Sequence, residues 1–106
     1  MVVTKPRSIG LTNYKTKGVK MLKTFTNMGK LIKQVRDESN LKVDEFIEKC
    51  NLEMSHQFLH NIERGNANMP MRKQRRIIKI MEIELIEFQT AALNDFMSNY
   101  LREISL

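Results

Sequence analysis

Apolar residues recur at helical spacing in five stretches separated by turn-forming residues. Met28, Leu31, Ile32 and Val35 predict a first helix over 27–39, capped by Asn27, with Ser39-Asn40 as the following turn. Phe46, Ile47 and Cys50 form the buried stripe of a second helix over 43–50, and Asp44 and Glu45 suit its positive amino end. A third, short helix is anchored by Leu59 and Ile62, with Phe58 beside them; Ser55 can cap its start and Gly65 can end it in a left-handed turn. After the loop Asn66–Pro70, Ile77, Ile78 and Met81 turn a fourth helix inward over 71–81. A fifth covers 85–104, with Leu85, Phe88, Ala92, Phe96 and Tyr100 on one face and Leu93, Met97, Leu101 and Ile104 widening it. Residues 1–26 lack such a pattern. Pro6, Gly10 and Gly18 interrupt them, and they read as an arm.

The third helix carries the most informative chemistry. His56, Gln57, His60 and Asn61 project from the side opposite its apolar face. Each can donate or accept hydrogen bonds, which suits reading base edges in a DNA major groove. His56 and His60 also have the four-residue spacing of a zinc pair, but a metal centre needs more ligands and only Cys50 and Glu53 are near in sequence. The two histidines therefore read as solvent-facing, with no metal and no cofactor expected.

Charge sharpens the picture because it is uneven. The chain of 106 residues carries +6 overall. Residues 1–36 hold nine basic and no acidic side chains; the remainder holds nine basic and twelve acidic. A basic end of this kind predicts a polyanionic partner, with Lys15, Lys17 and Lys20 of the arm as DNA contacts. Arg72, Lys73 and Arg76 at the start of the fourth helix are candidates for the phosphate backbone.

Residues 28–85 resemble the Cro-like, lambda-repressor-like helix-turn-helix family, the XRE family. The matching pieces are Met28-Gly29-Lys30-Leu31-Ile32-Lys33-Gln34-Val35-Arg36, Leu41-Lys42-Val43-Asp44-Glu45-Phe46-Ile47-Glu48-Lys49 and Phe58-Leu59-His60-Asn61-Ile62-Glu63-Arg64-Gly65, the last ending in I-E-R-G. The resemblance implies an all-α, compact four- to five-helix domain with its third helix in the major groove. Ser55, His56, Gln57, Phe58 and Asn61 then occupy the DNA-facing positions, and Glu63 and Arg64 are chiefly structural. Three departures stand out. Val43 replaces a frequent Gln, Ile47 replaces a frequent small Ala, and Asn51-Leu52-Glu53-Met54 adds about two residues to a turn that usually contains Gly.

The organisation that follows is a basic arm over 1–26, a helix-turn-helix DNA-binding domain over 27–84 and a C-terminal amphipathic helix over 85–106. That last helix has more apolar surface than a small core needs, so Leu93, Phe96, Met97, Tyr100 and Leu101 are expected to mediate homodimerisation or to meet another protein. The expected function is a sequence-specific regulator of transcription that binds double-stranded DNA, a repressor of phage, plasmid or antitoxin type. The alternative is a divergent helix-turn-helix module used for protein–protein interaction. Neither a Gly-rich phosphate loop nor a nucleophile–base arrangement points to an enzyme. No run approaches the ~18 apolar residues of a membrane helix. The amino end lacks the apolar stretch of a secretory signal, and a single cysteine makes the cytoplasm the default location.

Overall fold

The computed structural model describes residues 23–104, and among them every regular element is helical. The order is α1 (Thr26–Glu38), α2 (Val43–Lys49), α3 (His56–Glu63), α4 (Met71–Met81) and α5 (Leu85–Ile104). None of these helices is long and apolar enough to cross a membrane. The expectations for Lys15, Lys17 and Lys20 lie outside the described residues.

Four helices stop by one device. Asn40, Asn51, Gly65 and Glu82 follow α1, α2, α3 and α4, each with a left-handed φ between 52° and 84°. The residue after each sends its N–H back into the last turn: Leu41 to Arg36, Leu52 to Ile47, Asn66 to Asn61 and Ile83 to Ile78, at 2.9–3.2 Å. This closes orphan carbonyls and turns the chain sharply. Leu52 is then driven into the core, while Leu41 and Ile83 pack against its edge.

The core is contiguous across all five helices. Met28, Ile32 and Val35 of α1 meet Val43 and Phe46 of α2, Leu59 and Ile62 of α3, Ile77 of α4 and Phe88 of α5. Cys50, Leu52 and Met69 fill it from the connections. Two glycines permit close approach. A Cβ on Gly29 would lie 2.4 Å from the carbonyl oxygen of Ile62, so α1 and α3 pack backbone to backbone there. Gly65 combines φ +84° with contact to Thr26, and its carbonyl accepts the N–H of Phe25 at 2.8 Å.

Two sequence expectations need correction. Asn27 does not cap α1. The helix begins one residue earlier, after Phe25, without a cap from its own segment. Instead Asp95, far along α5, accepts the backbone N–H of Asn27 at 2.8 Å and that of Met28 at 2.9 Å, with the Asn27 amide at 3.0 Å. The second correction concerns the face of α5. Phe88 is buried as expected, but the helix docks through Phe88, Ala91, Asp95 and Asn99. Leu85, Ala92, Phe96 and Tyr100, which share a sequence stripe with Phe88, are exposed. Asn99 continues the docking, accepting the N–H of Thr24 at 3.0 Å and donating to its carbonyl at 2.9 Å. Polar side chains thus win the inner positions because they satisfy the backbone N–H groups of Thr24, Asn27 and Met28, at and just before the start of α1.

Candidate functional site

The outer side of α3 starts from a well-made helix end. Ser55 accepts the N–H of Phe58 at 3.0 Å, as its position predicts, so its hydroxyl is committed to the cap. His56 and Gln57 in the first turn are exposed, and His60 and Asn61 are half-buried one turn on. Asn61 Oδ1 accepts weakly from Arg64 at 3.4 Å. Phe58, one of the predicted DNA-facing residues, is half-buried and packs against the core. The structure therefore gathers His56, Gln57, His60 and Asn61 outside, while Leu59 and Ile62 hold the helix from below.

The two histidines form a chain with α2. His56 Nδ1 lies 2.9 Å from Asp44 Oδ1, and its Nε2 lies 3.1 Å from Nε2 of His60. Asp44 is a widely exposed acid beside the outer face of α3, with its side chain 80% accessible. Sequence inspection placed Asp44 only as a helix-end charge; its contact with His56 depends on the turn between α2 and α3.

That turn is unusual. Asn51 and Glu53 both adopt left-handed backbone, at φ 52° and 54°, where other residues resist. Its carbonyls are gripped by α4. Lys73 Nζ donates to the carbonyl of Leu52 and, at 3.4 Å, to that of Glu53. Arg76 donates to the carbonyl of Asn51 at 2.6 Å and approaches the Glu53 carboxylate at 3.5 Å. Two of the three cations expected at a phosphate backbone thus hold the turn that aims α3, while Arg72 and its neighbour Arg75 are exposed. A Lys or Arg spaced three apart on a helix, facing a turn rich in left-handed residues, is the signal that would have found this.

Arg36 leaves the basic patch in the same way. Its guanidinium takes both oxygens of Glu63, at 2.7 and 3.0 Å, and also donates to the carbonyl of Leu41 at 3.0 Å. Hydrogen bonding to Glu63 raises the pKa of Arg36 further, against the opposing effect of burial. This bidentate pair joins the carboxyl ends of α1 and α3. Glu63 is structural, as the family resemblance implies, but its partner is Arg36; Arg64 is exposed. Lys33 pairs with Asp37 at 3.0 Å on the surface, and Lys23 and Lys30 are exposed.

On α5 the five residues expected at an interface are all exposed, Phe96 by 63% and Leu93 by 59%. Phe96 and Tyr100 stack at 6.3 Å along the ridge they share with Met97 and Leu101. No family model, curated protein or solved structure matches this chain.

Proposed function

We propose that this chain is a sequence-specific regulator that binds double-stranded DNA through a lambda-repressor-like helix-turn-helix unit, α2 to α3. The observation that carries the reading is the construction of α3. It is capped by Ser55, stopped at Gly65 and held by Leu59 and Ile62, so that His56, Gln57 and Asn61 are presented on a rigid element. Amide and imidazole groups offer the paired donor and acceptor chemistry that base edges require. Exposed Arg72 and Arg75 supply cations toward phosphates, and the basic residues of the amino-terminal arm add to them. Regulation by a chain of this kind is repression through occlusion of a promoter, in the cytoplasm. Homodimerisation through α5 would place two reading helices on a near-palindromic site.

Asp44, Glu45 and Glu48 line the exposed side of α2 and favour a second reading, in which the helical unit meets a protein. Selection of bound fragments from a random double-stranded DNA pool tests the first. Recovery of one enriched, two-fold related sequence supports it. Binding absent even at low salt transfers the role to a protein partner.

A further inference from the structure

The paired histidines of α3 have a geometry that hydrogen bonding does not exhaust. Their Nε2 atoms converge to 3.1 Å, with ring centroids 4.8 Å apart. Two imidazole nitrogens on one tetrahedral zinc ion, each at about 2.0 Å, lie about 3.3 Å apart. The other nitrogen of His56 meets Asp44 at 2.9 Å, the carboxylate contact that commonly orients a metal-bound histidine. Four-residue spacing on α3 sets the pair, and the packing of α2 beside it supplies the carboxylate.

We propose that His56 and His60 form a two-imidazole site for a divalent transition-metal ion, with Asp44 as its outer-shell carboxylate. The 3.1 Å contact is a hydrogen bond whose donor depends on the tautomers of the two rings. With Asp44 holding the Nδ1 proton of His56, Nε2 of His56 accepts from Nε2 of His60. Binding requires His60 to carry its proton on Nδ1, so that both Nε2 lone pairs face the ion. Water completes the coordination. Cys50 is buried in the core and Glu53 turns to Arg76, so neither sequence-adjacent candidate serves. Among the described residues no larger ligand group is assembled, which makes this an open, exchangeable site. Imidazole donors select zinc, nickel and copper over magnesium.

The chain has two histidines, so their ring signals report the site directly. The test titrates Zn²⁺ into the full, untagged chain and follows both imidazoles by NMR, with affinity from calorimetry. Expected is one ion per chain, both rings shifting together, Cu²⁺ tighter than Zn²⁺ and no response to Mg²⁺. His60→Ala and His56→Ala should each weaken zinc by about tenfold or more, and Asp44→Asn by about 10- to 100-fold. Asp44 and His56 are exposed and His60 is half-buried, and unchanged helical circular dichroism will show that the variants fold. Equal zinc affinity in wild type and the double histidine variant overturns the proposal, as does a shift confined to one ring. No DNA enters this experiment, so the metal site and the DNA reading stand or fall separately.

Discussion

The carboxylate of Asp95 closes the amino end of α1, reaching 68 residues back to Asn27 and taking its backbone N–H and side-chain amide at 2.8 and 3.0 Å. The second oxygen takes the N–H of Met28, so both oxygens serve one helix end. An acid at that place also meets the positive end of the helix dipole. Asp95 is 4% exposed, and among the described residues its side-chain hydrogen bonds all go to α1.

Asp95→Ala should therefore destabilise the chain by about 3 kcal/mol, since it strips a charged acceptor from buried N–H groups. Asp95→Asn should lose less, because one carbonyl oxygen remains. Urea denaturation of the three proteins checks this. An alanine variant within about 0.5 kcal/mol of wild type would remove Asp95 from its role as a cap.

Cys50 offers a pH-dependent reading of the core. Burial pushes its thiol up to about 11, against a smaller opposite pull from Lys49. The folded chain therefore keeps this proton longer than the unfolded one. Stability from this group is fully present below the ordinary thiol range of about 8.5 and is lost as pH rises toward the folded value. Unfolding midpoints should fall between about pH 8 and pH 10, and the fall should be smaller in Cys50→Ala. Iodoacetamide should label the native thiol far more slowly than the urea-unfolded one; equal rates would mean the thiol is not enclosed.

Gln57 tests the proposed DNA contact without disturbing the fold, since it is exposed in the first turn of α3. Gln57→Ala should cost about 1–3 kcal/mol on a selected DNA site and little on unrelated DNA. Equal losses on both would make it a positioning contact. Arg76→Ala has a different signature, because this residue holds the carbonyl of Asn51. It should lower stability as well as DNA affinity, whereas Arg72→Ala should lower affinity alone.

The apolar ridge of α5 predicts the oligomeric state. Leu93→Glu combined with Phe96→Glu alters exposed positions and leaves Asp95 and Asn99 in place. Sedimentation should show a dimer for wild type and a folded monomer for the double variant. A wild-type monomer at high micromolar concentration would remove the dimer from the mechanism.

Much of the architecture is legible locally. The stripes that contain Val35, Phe46, Ile62 and Ile77 all meet in the core, and Ser55 and Gly65 bound α3 as their chemistry requires. The inward place of Asp95 and Asn99 on α5 was not legible, for a definite reason. Phe88, Ala92, Phe96 and Tyr100 repeat every four residues and look like a buried stripe, while Asp95 and Asn99 look like surface. Their inward position is decided by unsatisfied backbone at Thr24, Asn27 and Met28, which no window around residue 95 contains. The same limit hid Lys73 and Arg76, whose partners are carbonyls some twenty residues away, and Asp44, brought to His56 by the connecting turn.

The Asp95 cap also sets an order of events during synthesis. The ribosome delivers α1 early, but its amino end stays open until residue 95 has been made and released from the exit tunnel. The nascent domain must therefore hold its first helix through Ile32, Val35 and the apolar faces of α2 to α4 alone. Final locking is a late, long-range step, and pausing translation before α5 should leave an intermediate whose front edge frays.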